Sequence, residues 1–179
     1  PYELTVAVGG ETHRFQGQFR PEKRWRLFAA FRIHNDIGYT DLQPNIEELD
    51  TRNTDGVLDI ISRFPFYKFN LETSWLAENY LRSRKAARAQ QLMALAARNQ
   101  VGINVLYLNL MSGLCTGEEM HRSLYYAKSL QRKHSVPLKF ACLTDTPSHT
   151  AFLPSLLADA GVTGFALGSN QTRGPHLQN

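Results

Sequence analysis

Leu27-Phe-Ala-Ala-Phe-Arg-Ile33 followed by His34-Asn-Asp-Ile-Gly-Tyr-Thr-Asp41 is the stretch on which the fold reading turns. The first half is apolar without alternation, as expected of a strand covered on both faces in a parallel sheet. The second half turns polar where the strand gives out, which in α/β folds is where ligands bind. His34 and Asp36 are two residues apart, so in extended backbone both side chains point to the same side. An imidazole and a carboxylate aimed together are two-thirds of a zinc or other divalent-metal site. The pair could equally bond to each other or cap the next helix. Gly38 lets the chain turn tightly and leave.

Outward from this stretch the pattern repeats. A helix is expected from Pro44 to about Arg63, weakened or broken at Thr51–Gly56. A second strand at Tyr67–Leu71 ends in Glu72, and Thr73 or Ser74 caps one long helix to about Arg98. Val101–Leu108 is a third strand, leading through the loop Asn109–Gly117 into a helix from Glu118 to Lys133. Leu138–Leu143 is a fourth strand, ending in Asp145-Thr-Pro-Ser-His149. A helix from Phe152 to Ala160, Gly161, and a fifth strand at Val162–Leu167 complete the series, with Asn170 and Arg173 in its terminal loop. Five strand–helix alternations argue for an α/β chain with a parallel sheet and right-handed crossovers, too few for an eight-fold barrel. Upstream, residues 2–19 alternate in polarity around Gly9-Gly10 and read as a β-hairpin with a two-residue turn. Residues 1–24 are therefore expected to form a hairpin and linker, the end of an upstream β domain, and residues 25–179 a separate α/β unit. Both ends read as cut from a longer protein.

Composition restricts the function. The chain has 179 residues, 42% hydrophobic and 20% charged, which suits a globular domain with a sizeable core. The net charge of +4 is spread over the chain, and basic residues do not interleave with aromatic ones, so a nucleic-acid partner is not expected. No apolar run approaches the ~20 residues of a membrane span and no signal peptide is visible, so no membrane partner is expected and a cytoplasmic location is favoured. Cys115 and Cys142 lie in or beside apolar runs and read as two thiols rather than a disulfide, with no CxxC to suggest structural zinc.

The groups that follow each strand form a set: His34, Asp36, Tyr39 and Asp41; Glu72 near Trp75; Tyr107 and Asn109; Asp145 and His149; Asn170 and Arg173. Singly each has a structural explanation; Glu72 and Asp145 could cap helices and Trp75 could be core. Jointly they collect at the carboxyl edge of one sheet. His34, Asp36 and Asp145 would offer a metal one nitrogen and two oxygens, with His149 or an outside group as a fourth ligand. Such an ion could polarise a hydroxyl or activate water. Asp145, if it faces the substrate, could act as nucleophile.

These motifs resemble a known family. His34-Asn-Asp-Ile-Gly-Tyr39 is similar to the His-x-Asp-x-Gly-Trp/Tyr signature of the family 38 glycoside hydrolases, the zinc-dependent α-mannosidases. Asp145-Thr-Pro-Ser-His149, leading into Leu153-Pro-Ser-Leu-Leu157 and Ala160-Gly161, is similar to that family's Asp-x-x-x-His segment. The resemblance runs over about residues 25–173. It implies an incomplete seven-stranded β/α barrel of the type shared with polysaccharide deacetylases, with about five strands present. It implies one zinc ion held by His34, Asp36 and Asp145, and a carbohydrate substrate. Asp145 would also be the nucleophile of a retaining mechanism, with Tyr39, Asp41, Glu72, Trp75, Asn109, His149 and Arg173 around the sugar. The family's fourth zinc ligand and its general acid come from beyond residue 179, so these residues alone are expected to be inactive although their parent is a glycosidase. Thr-Pro-Ser after Asp145, where the familiar mannosidases have Pro-Phe-Gly, implies a divergent microbial branch. Two other readings stay open: a metal-dependent deacetylase-type hydrolase on the same barrel, and a catalytically incomplete carbohydrate-binding unit. Open sheet edges would favour a homo-oligomer.

Overall fold

The computed structural model describes residues 1–20, 23–34 and 36–168. Strands β1 (Tyr2–Val8) and β2 (Glu11–Gly17) form the expected antiparallel hairpin, Val8 opposite Glu11. Gly9 and Gly10 have φ of 59° and 87°, the left-handed pair that a two-residue turn of matching twist requires. Leu4, Val8 and Phe15 of this hairpin are all more than half exposed.

The remainder is mixed α/β. Strands β3 (Phe31–Ile33), β4 (Phe69–Leu71) and β5 (Val101–Ile103) form one parallel sheet in that order, and β6 (Phe140–Thr144) and β7 (Gly164–Gly168) form a second parallel pair. The five strands number as expected, but they are short and lie in two sheets, and no closed barrel is present among the described residues. Helices α1 (Gln43–Arg63), α2 (Ser74–Ser83), α3 (Ala86–Ala97), α4 (Gly117–Arg122), α5 (Tyr125–His134) and α6 (Leu153–Asp159) supply the crossovers. Alternation along the strands sorts the two faces: Phe69, Leu71, Val101 and Ile103 are buried in the core that contains Leu58, Tyr80 and Leu92, whereas Asn70, Gly102, Arg32 and Cys142 line an open hollow of about 480 Å³.

Four local expectations are corrected. Leu27–Ile33 is not a buried strand throughout: only Phe31–Ile33 pairs, and Leu27 and Phe28 are 94% and 83% exposed, because β3 is the edge of its sheet. α1 runs unbroken through Thr51–Gly56: Thr51 and Thr54 are buried in the core, and Arg84 and Arg88, some thirty residues on, bond Asp55. The helix expected to reach Arg98 is two helices, parted where Arg84 and Lys85 take extended backbone and Arg84 reaches across to Glu48 and Asp55 on α1. The segment expected as one helix from Glu118 is also two. A capping box between Thr116 and Glu119 starts α4, and α4 ends at Ser123, whose hydroxyl donates to the Met120 carbonyl.

The two sheets are spliced by one side chain. Asn104, 3% exposed, follows β5. Its amide nitrogen donates to the carbonyls of Glu72 (2.5 Å) and Cys142 (2.7 Å), and its oxygen accepts from the backbone N–H groups of Cys142 (3.1 Å) and Leu106 (3.2 Å). All four hydrogen-bonding positions of the amide are used. Asn104 thus links the residue after β4 to β6 from the end of β5, where the Val105 N–H also donates to the Phe140 carbonyl at 3.4 Å.

Candidate metal centre at the strand ends

Parallel register brings the site together. Ile33 lies opposite Leu71, and Leu71 opposite Ile103, so the next row carries His34, Glu72 and Asn104 side by side. Across the splice, β6 ends at Thr144 and Asp145. The turn after β3 is closed by the Thr40 N–H donating to the Asp36 carbonyl and by the Gly38 N–H donating to that of Asp41, with Gly38 at φ 82°. Asp145 has φ 58°, a left-handed conformation, and its N–H donates to the Gly168 carbonyl at 2.7 Å. That strain turns the carboxylate back over the strand ends.

His34, Asp36 and Asp145 converge: one donor atom from each lies within 4.8 Å of the other two. His34 Nε2 is 3.9 Å from Asp36 Oδ1 and 4.0 Å from Asp145 Oδ2. Among the described residues no Lys or Arg nitrogen comes within 4.0 Å of either aspartate, so the two carboxylates face each other across an imidazole with no cation between them. Donors bound to one zinc at about 2.0–2.2 Å in tetrahedral array stand roughly 3.4 Å apart. The two distances from His34 are about half an ångström wider than this. The donor set and its spacing fit a divalent ion.

Behind this opening lies Glu72, whose side chain is 3% exposed. Its Oε2 accepts from His34 Nδ1 at 2.7 Å, and its Oε1 accepts from the Thr144 hydroxyl and lies 3.6 Å from Arg32 Nε.

The other residues expected around a substrate are scattered. Trp75, 9% exposed, and Asn109 line a cleft of about 230 Å³ with His34, Asp36, Glu72 and Leu110, and the buried Asn109 Oδ1 has no hydrogen-bond partner. Tyr39 is 89% exposed and stands in solvent. Asp41 Oδ1 accepts from the Leu42 N–H and the Asn45 side chain at the start of α1, and these bonds hold its carboxyl below the usual value. Tyr107 donates to Glu78, and burial with that bond pushes its hydroxyl up to about 12. His149 is not part of the converging group. Both its ring nitrogens are buried without a partner, and burial pushes its pKa down. Arg173 and Asn170 lie outside the described residues. Arg32, Thr144 and Asn104 carry no signal of site chemistry on their own. The first two flank His34 and Asp145 at strand ends, and Asn104 is an amide inside the apolar run Val101–Leu108.

The fold and its strand-end cluster define an α/β protein built on short parallel strands, with an acid-rich opening at their carboxyl ends. No protein-family model matches the sequence, and no curated protein matches it. Solved structures do match. An α-mannosidase from Enterococcus faecalis V583 superposes with TM-score 0.63 at 20% identity over 70% of this chain and 14% of its own. A glycosyl hydrolase family 38 protein from Enterococcus faecalis does so with TM-score 0.63 at 18% identity, over 77% of this chain and 16% of its own. A 4-α-glucanotransferase from Thermococcus litoralis matches with TM-score 0.55 at 21% identity, over 74% of this chain and 21% of its own. Over the matched stretch this chain therefore has the fold of the family 38 structures, and it spans about a sixth of their length or less.

Proposed function

We propose that this chain is part of the catalytic unit of a metal-dependent glycoside hydrolase of the α-mannosidase type. The observation that carries the reading is the convergence of His34 Nε2 with the carboxylates of Asp36 and Asp145 at the strand ends. The likeness of fold to the family 38 structures supports the same chemistry.

In this reading His34, Asp36 and Asp145 hold one zinc ion. Bound there, zinc would act as a Lewis acid toward sugar hydroxyls. The protein residues do the rest. Asp145, 40% exposed at its side chain and presented by its left-handed backbone, would attack the anomeric carbon as the bond to the departing oxygen breaks and that oxygen takes a proton from a general acid of the parent protein; water then displaces the Asp145 carboxylate, and the two inversions give retention. Trp75 and Asn109 line the cleft beside the cluster, where the free Asn109 carbonyl oxygen would accept from a sugar hydroxyl.

Equilibrium dialysis against zinc tests the site first. About one zinc per chain is expected, lost in His34→Ala and in Asp36→Ala; equal binding by wild type and both variants would overturn the reading. A panel of aryl mannosides and α-glucosides with the full-length parent then tests the reaction, with Asp145→Ala expected to abolish turnover.

A further inference from the structure

A 2.7 Å contact at the site joins the partly exposed His34 to a carboxylate that is almost wholly buried. His34 is partly exposed, its side chain at 33%, whereas Glu72 is sealed behind it at 3%. Glu72 backs the cleft with 3% of its side chain exposed, and both its oxygens are bonded within the protein. Its two oxygens are also divided between partners of different kinds. Oε1 faces a guanidinium and a hydroxyl, Arg32 and Thr144, while among the described residues Oε2 bonds only the imidazole.

We propose that Glu72 is a positioning residue that sets the tautomer of His34, an inference that rests on the metal-site reading above. An ionised carboxylate has no hydrogen to give, so in the 2.7 Å contact Nδ1 carries the proton and donates it. A neutral ring then has its lone pair on Nε2, the atom 3.9 and 4.0 Å from the aspartates. Without such a partner an exposed histidine samples both tautomers and several ring orientations. With it the ring is fixed in the one form that can ligate into the opening. Three features hold the carboxylate itself in place: the strand register that sets Glu72 beside His34, the donors Arg32 and Thr144, and the Asn104 amide clamped on the Glu72 carbonyl.

The arrangement makes Glu72→Gln a sharp test, because the new amide is the same size but not symmetric. Arg32 has only donors to offer, so the amide oxygen stays on its side and the NH₂ group is turned to His34. Nδ1 must then accept, the ring proton moves to Nε2, and the lone pair leaves the opening. The experiment has two arms on the whole protein. Nitrogen-15 NMR of metal-free protein, at a pH where the ring is neutral, reads the His34 tautomer, and calorimetric titration with zinc reads the affinity. Expected are the Nδ1–H form in wild type, the Nε2–H form in Glu72→Gln, and an affinity lower by about ten- to a hundredfold. A purely structural role would not exchange the tautomer. The Nε2–H form in wild type, or a Glu72→Gln protein with wild-type tautomer and affinity, overturns the proposal. Should Glu72→Gln not fold, Glu72→Asp is measured instead. It keeps an acceptor, so the Nδ1–H form is expected to persist with weaker zinc binding, and the Nε2–H form there counts against the proposal. The two readings fail separately: zinc binding unaltered in His34→Ala sinks the metal site, while the tautomer in metal-free protein still decides the role of Glu72.

Discussion

Two charged clusters in this protein obey opposite rules. On the helical layer, Asp55 of α1 accepts from Tyr80 at 2.6 Å, Arg84 at 2.8 Å and Arg88 at 3.2 Å, while Arg84 also forks onto both oxygens of Glu48 at 3.1 Å and Arg88 reaches Asp59 at 3.0 Å. Acids and bases are matched in this cluster. At the strand ends, Asp36 and Asp145 share one imidazole and have no Lys or Arg beside them among the described residues. Charge in the first cluster is spent on joining α1 to α2 and α3. Charge in the second is left over. Folding alone gives no return for two carboxylates set together without a cation, nor for a strained backbone under one of them. The contrast is between acids matched by bases and two acids left without one, Asp145 on left-handed backbone.

Substitutions can break this contrast. The largest loss is expected at Asn104, the fully bonded amide between the sheets: Asn104→Ala strands the Cys142 N–H and two carbonyls and should cost about 3–5 kcal/mol in urea unfolding. Next comes Asp55→Ala, which leaves the buried Tyr80 hydroxyl without its acceptor and takes one of two carboxylates from each of Arg84 and Arg88, at about 2–3 kcal/mol. A pH series sharpens the same point. Burial alone would raise the Asp55 pKa, but hydrogen bonds from Tyr80, Arg84 and Arg88 bring it below the ordinary value. A lowered folded-state pKa contributes stability above the unfolded value of about 3.9, lost as pH falls through the folded one. Wild type should therefore lose stability through that acid range more steeply than Asp55→Ala, as followed by thermal unfolding at successive pH values.

At the strand ends the signs reverse. Asp145→Gly relieves the left-handed backbone and one carboxylate of the facing pair, and should raise stability by up to about 1 kcal/mol while zinc binding is lost. Asp36→Asn should move stability by no more than about 0.5 kcal/mol. A destabilisation above 1 kcal/mol in both of these variants would show that the cluster serves the fold and erase the contrast.

Much of the fold was legible because it is written in local pattern. The Gly9-Gly10 hairpin, the five strand segments and their alternation with helices follow from periodicity and turn chemistry that act over a few residues. Errors fell where a distant side chain decided. α1 crosses Thr51–Gly56 because Arg84 and Arg88, some thirty residues on, hold Asp55. The helix after Glu72 breaks where Arg84 turns to that same acid. Leu27 and Phe28 lie outside the pairing because β3 meets β4 over Phe31–Ile33 alone, a register that no residue of Leu27–Ile33 reports. The site was legible to a similar depth. His34 and Asp36 share one strand end, and Asp145 stands at another, so their chemistry and their level in the sheet can be read from the chain.

What the sequence determined by itself was the inventory: which residues end the strands, and that a nitrogen and two carboxylates are among them. Only the tertiary structure decided the placement. Glu72, expected around the sugar, is buried against His34, and Asn104, unremarked in an apolar run, ties the two sheets whose ends carry His34 and Asp145. The reason is physical. Alternation and turns depend on neighbours along the chain, whereas the partner of a buried polar atom is set by register between strands that lie thirty to seventy residues apart in sequence.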